Sequence, residues 1–160
     1  MFLDFFQSLK YVNHLYPIAF LRIFLGYYYL QQALFKLSSD FLTRPKFAES
    51  VMEWLPQSQA FDWYKMFIIQ KLVPHWQSFG FAVVGIEFAI AISFLVGYVV
   101  RPTALLAALF CFNMIYLSSP QNEQLYKAFI AIHLTLAWVG AGRCLGVDYY
   151  FFKRRRGVWW

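Results

Sequence analysis

A chain of 160 residues that is 61% hydrophobic, 22% aromatic and only 14% charged has more apolar surface than one small globule can bury. The net charge of +6 does not point to nucleic acid, because Lys153, Arg154, Arg155 and Arg156 are consecutive and follow the last apolar run. That placement is a cytoplasmic topology signal and a contact for anionic headgroups. One membrane domain, 1–160, is predicted, with lipid as its main solvent and no second soluble domain.

Phe2, Phe5, Phe6, Leu9, Val12 and Tyr16 share a helical face flanked by Asp4, Gln7, Ser8 and Asn13. This predicts a short interfacial helix over 1–16. Asp4, Arg22 and the lack of a small-x-small site argue against a signal peptide. The first span is predicted over about 17–35, with Pro17 in the first turn. Arg22, Gly26, Tyr29, Ala33 and Lys36 recur at helical spacing on one face, polar at both ends and small in between, which should turn into the bundle.

Residues 37–78 are too many for a bare loop. Phe47, Val51, Trp54 and Leu55 form a helical stripe between Pro45 and Pro56, and an aromatic-rich piece, 61–73, stops at Pro74. Two short helices on the outer membrane surface or dipping into it are predicted, anchored by Trp54, Trp63, Tyr64 and Trp76. The second span, about 79–100, is nearly all apolar with Glu87 at its centre. An acid there costs roughly 2.5–3.5 kcal/mol on insertion scales, so it should face a partner within the protein.

Gly97 to Pro102 reads as a tight turn. The third span, about 103–117, has a small-residue face of Ala104, Ala107, Ala108 and Cys111 for close packing. After the turn at 118–122, the fourth span covers about 124–142, with His133, Ala137 and Gly140 on one face. The fold class is therefore an all-α bundle of four transmembrane helices. Both termini lie on the cytoplasmic side, the 37–78 segment is extracytoplasmic, and the basic tail is 143–160. Cys111 and Cys144, at different depths, are read as two unbridged thiols.

Of the polar side chains within the spans, four are the candidates for chemistry: Arg22, Glu87, Asn113 and His133. Two readings stand side by side. In one, Arg22, Glu87 and His133, with Lys36 and Asn113 nearby, form a buried polar site that binds the headgroup of a lipid-soluble ligand or relays protons. In the other, Arg22 and Glu87 are a structural pair, bridged by His133 or water, that sets helix registry. Asn113, opposite the alanine face, is also suited to an interhelical hydrogen bond. The glycines of 140–146 allow a sharp turn at the membrane edge, where Arg143 pairs with Asp148 or holds lipid phosphate. No metal-ligand spacing, phosphate-binding glycine loop or nucleophile elbow is present, and a lone His133 on a small-residue face reads as packing rather than haem ligation.

Leu21-Arg22-x-x-x-Gly26 with Lys36, then Gly85-Ile86-Glu87 with Gly97 and Arg101, then Gly140-Ala141-Gly142-Arg143 with Asp148, occur in this order. In this the chain resembles the DoxX family. The resemblance implies a four-helix integral protein of a bacterial cytoplasmic membrane, in some relatives a subunit of a thiosulfate:quinone oxidoreductase or an associate of redox-stress proteins, in others a factor for cargo export or receptor assembly. The long 37–78 segment departs from common members, and the cysteine pairs of related thiol-redox membrane families are missing.

The expected function is an accessory membrane subunit of an oxidoreductase, with a quinone held at Arg22, Glu87 and His133, and with Arg101, Arg143 and Asp148 in structural or headgroup-binding roles. The alternative is a non-enzymatic chaperone or docking protein using 37–78 to bind a client. Expected partners are the lipid bilayer, a redox or client protein and a second copy of the chain. A transporter would need paired broken helices.

Overall fold

The computed structural model describes residues 16–154, with side chains through residue 151. The interfacial helix expected over 1–16 lies outside the described residues except for Tyr16, as do the side chains of the basic run 153–156. Every described element is helical: α1 Tyr16–Ser38, α2 Lys46–Trp54, α3 Asp62–Phe67, α4 Trp76–Val96, α5 Val100–Leu117, α6 Glu123–Val139 and α7 Asp148–Arg154. Tight 3-10 turns at Leu55–Gln57, Pro120–Asn122 and Ala141–Arg143 and a π turn at Ile68–Leu72 connect or extend them.

The long helices pack chiefly in two pairs, α1 on α4 and α5 on α6. The first pair is antiparallel and close. A Cβ added at Gly26 would lie 3.0 Å from backbone and side-chain atoms of Leu95, so the small residue fixes where the helices touch. The face read from the sequence is the inner one: Ala19, Arg22, Leu25, Gly26, Tyr29 and Ala33 are buried. The second pair meets on the expected alanine face, with Ala104, Ala107 and Cys111 completely buried. The two pairs share one core around Leu25, Tyr29, Ile90, Phe94, Ala107 and Leu136.

α4 and α5 are long and apolar enough to cross a membrane, with mean hydropathies of 2.3 and 1.5 over their best windows. α1 and α6 fall short on that criterion for local reasons. α1 dilutes its apolar residues with Arg22, Tyr27, Tyr28, Tyr29, Gln31 and Gln32; α6 is only 17 residues long and carries Lys127 and His133.

Helix ends depart from the expected spans by three or four residues at the end of α1, both ends of α4, the start of α5 and the end of α6. The turn after α4 is only Gly97-Tyr98-Val99, because Arg101 and Pro102 already belong to α5. Proline in a first helical turn gives up an N–H that has no intrahelical partner anyway. Gly97 adopts a left-handed conformation, φ 72°, and its N–H and that of Tyr98 both reach Ser93 O.

The segment between α1 and α4 forms the two short helices expected, α2 and α3, and packs as a cap on the bundle end. Phe47 and Val51 of α2 and Leu55 of the turn after it join Ile68 and Leu72 of the π turn and Leu117 of α5 in a second apolar core. Pro45 and the turn at Leu55–Gln57 bound α2 as the prolines predicted. The outer side of α3 stays uncovered: Phe61, Trp63, Met66 and Phe67 are all more than half exposed.

Candidate functional site

The expected polar site divides into two, one at each end of the bundle. At the end where α4 turns into α5, Arg22 is completely buried. Its Nη1 donates to Ala141 O at 2.8 Å and Cys144 O at 3.1 Å, and its Nη2 to Leu145 O at 2.9 Å. A planar guanidinium with its donors in a fixed fork suits three carbonyls converging from one loop. The loop is drawn in further by Val147 N–H to Val96 O and Asp148 N–H to Gly97 O.

Asp148, also buried, accepts from Val99 N at 2.7 Å and Val100 N at 3.0 Å. It thus caps the N-terminus of α5 from a position far along the chain. The cap offsets a local cost, since Val99 has φ 54°, a conformation that a β-branched residue rarely adopts. Arg101 lies over Gly140, where an added Cβ would come within 2.8 Å of its Nε. Burial lowers the pKa of Arg143 from its usual value; the neighbouring charge of Arg101 adds to this and Asp148 opposes it. Burial raises that of the Cys144 thiol against the pull of Arg22, and both cysteines are free.

This assembly is a clasp that fastens the 140–148 loop to α1, α4 and α5. Arg22 therefore belongs to the clasp and not to a ligand site, and the expected Arg22–Glu87 pair does not form. Gly142 carries a testable consequence, because an added Cβ would overlap Asp148 Oδ2. Gly142→Ala should lower stability by about 1–3 kcal/mol through overpacking, seen as a lower unfolding temperature in detergent. An unchanged temperature would show the clasp to be slack.

Nearer the other end, Glu87 takes Lys36 as its partner. Lys36 Nζ donates to Glu87 Oε1 at 2.5 Å, with the lysine side chain 20% exposed and the glutamate side chain 6%. Glu87 Oε2 is buried with no hydrogen-bond partner among the described residues. Beside the pair is a cavity of about 130 Å³ whose walls include Lys36, Glu87, Tyr28, Tyr29, Tyr126 and Met114. Phe41, Phe47 and Ser50 line it from the capping segment, so that segment contributes to the site. Lys36 also lies 5.9 Å from the centre of the Phe41 ring, within reach of a cation–π attraction.

His133 is completely buried and meets the cavity only through a neighbour. Tyr29 Oη lies 2.8 Å from His133 Nε2 and 3.2 Å from Cys111 Sγ. Rings of Phe94, Phe129 and Tyr29 surround the imidazole with centroids 5.6, 6.2 and 5.7 Å away. Asn113 is not part of the site. Its Oδ1 accepts from Tyr64 Oη at 3.1 Å and its Nδ2 donates to Leu109 O, which ties the capping segment to α5.

Of the expected residues, Glu87 and Lys36 line the cavity, His133 is one hydrogen bond away, and Arg22, Arg101 and Asp148 build the clasp. Tyr28, Gln32 and Tyr126 were not anticipated. Tyr126 lies seven residues before His133, on the same helical face, so spacing alone could have found it. Among the described residues no His, Cys, Asp and Glu cluster is fit to hold a metal ion. Compared with known protein families, curated proteins and solved structures, the chain matches none of them.

Proposed function

We propose that the chain is a DoxX-like integral membrane protein in which α1 and α6 cross the bilayer together with α4 and α5. In this reading it serves an oxidoreductase as an accessory subunit, and its cavity holds the headgroup of a lipid-soluble carrier, a quinone. The observation that carries the reading is Glu87, an acid near the middle of the 21-residue α4, ion-paired on one oxygen and unpartnered on the other, in the wall of a cavity of ring size. An apolar cavity of about 150 Å³ takes benzene. Buried ionisable groups at membrane depth are costly and mark ligand or proton sites.

The four-span part is supported by apolar side chains facing outward on the two less hydropathic helices: Phe20, Phe24 and Phe35 on α1, and Leu134 and Trp138 on α6, are each 49% exposed or more. With the basic run on the cytoplasmic side, the clasp faces the cytoplasm of a bacterial inner membrane and the cap faces out. The chain should resist extraction from membranes by alkaline carbonate, and its release would defeat the four-span reading. Extraction of lipids from the detergent-purified protein should yield bound quinone, counted as the sum of its oxidised and reduced forms. Val83→Trp, which fills the cavity one turn from Glu87, should reduce it at least about fivefold. Quinone absent from the wild type, or retained in full by the variant, contradicts the quinone site.

One observation favours the second reading, a docking protein for a client: the exposed row Phe61, Trp63, Met66 and Phe67 on the cap. Serine at Phe61, Trp63 and Phe67 would then abolish client capture while quinone content stays unchanged.

A further inference from the structure

We infer that the cavity selects the reduced, hydroxyl-bearing form of its ring ligand, a phenol or hydroquinone, over the carbonyl form. This rests on the reading of the cavity as a ligand site and adds its chemical polarity. Among the described residues that line the cavity, Glu87 carries a buried atom with no hydrogen-bond partner, Oε2, and a carboxylate in an ion pair is an acceptor at both oxygens. A ligand that satisfies it must bring an O–H or N–H donor. Lys36, the one cation in the cavity wall among the described residues, makes no such demand. One of its donors already reaches Oε1, and its side chain is 20% exposed, so water can take the others.

The terminal torsion of a glutamate is soft, so a small turn of the carboxylate aims Oε2 at a ring placed in the cavity. A hydroxyl then gains a charge-assisted bond. A carbonyl in the same place sets acceptor against acceptor and leaves Oε2 unpaired, and buried groups left unpaired are what make polar sites discriminate.

Glu87→Gln reverses the demand without changing the shape. Its amide oxygen stays on Lys36 Nζ, and its NH2 takes the place of Oε2. The site then presents a donor and should prefer a carbonyl.

The test titrates phenol and cyclohexanone, two rings each bearing one oxygen, into the full chain in detergent. Binding is followed by the Met114 methyl resonance at the cavity wall. Wild type should bind phenol at least about tenfold more tightly than cyclohexanone, and Glu87→Gln should invert the order. Taking the ratio of the two ligands in each protein and comparing across proteins cancels their different partition into micelles. Equal affinities, a carbonyl preference in the wild type, or an order unchanged by Glu87→Gln overturns the inference while leaving the cavity a ligand site. No shift at Met114 with either ring overturns both.

Discussion

Arg22→Ala is expected to cost the detergent-solubilised protein about 4 kcal/mol of stability, the largest effect of any single substitution considered. Three loop carbonyls converge on this one guanidinium, and a buried acceptor left unpaired costs about 1–3 kcal/mol. Some of that is recovered if water enters the space, so the total stays below the simple sum. The loss should also free the 140–148 loop, exposing the Cys144 thiol, which is 3% exposed in the intact clasp. Unfolding by heat or by graded SDS measures the first effect, and the rate of Cys144 labelling in a Cys111→Ala background measures the second. Arg22→Lys separates charge from geometry. A single ammonium restores the charge but not the fork, so it should recover less than half of the loss. A cost under about 1 kcal/mol for Arg22→Ala, with Cys144 still protected, would show that the loop is held by its other contacts.

Lys36→Met should cost about 2–4 kcal/mol. Removing one member of a buried ion pair leaves the other charge uncompensated, at about 3–5 kcal/mol when both are fully buried. The partial exposure of Lys36 reduces that figure. The double variant Lys36→Met/Glu87→Gln removes both charges and should be more stable than Lys36→Met alone, with a coupling of about 1–3 kcal/mol. Strict additivity would mean that the two side chains do not hold each other. The comparison also bears on the cavity, since Lys36 and Glu87 form one edge of it and the ion pair fixes which carboxylate oxygen remains for a ligand.

These two expectations concern opposite ends of one bundle, the clasp at one and the cavity at the other. Arg22 and Lys36 lie on the same face of α1, yet one fastens a loop and the other balances an acid beside a cavity. The motif residues Gly97 and Gly142 belong with Arg22, as does Gly146 of the same loop: an added Cβ at Gly97 would come 2.5 Å from Gly146 Cα and 2.6 Å from Arg22 Nη1. The three short motifs that run through the chain therefore converge mostly on the clasp. Of the residues in those motifs, Glu87 and Lys36 line the cavity.

Much was readable from the residues alone. Composition implied an apolar solvent for a large part of the surface. The spacing of Arg22, Gly26, Tyr29, Ala33 and Lys36 identified the inner face of α1, because helical periodicity is a local property. Ala104, Ala107 and Cys111 likewise marked the inner face of α5, and Pro45, Pro56 and Pro74 marked the breaks in the capping segment by the missing N–H and fixed φ of proline. What periodicity does not carry is height. Arg22 and Lys36 share a face but stand about 21 Å apart along the helix, and either could have met Glu87. The antiparallel docking of α4 on α1, with Gly26 against Leu95, set that height and brought Glu87 to Lys36. The same holds for Asp148 at the start of α5 and for the 37–78 segment at the cavity. Each depends on contacts between residues remote in the chain, which only the packing of whole helices could decide.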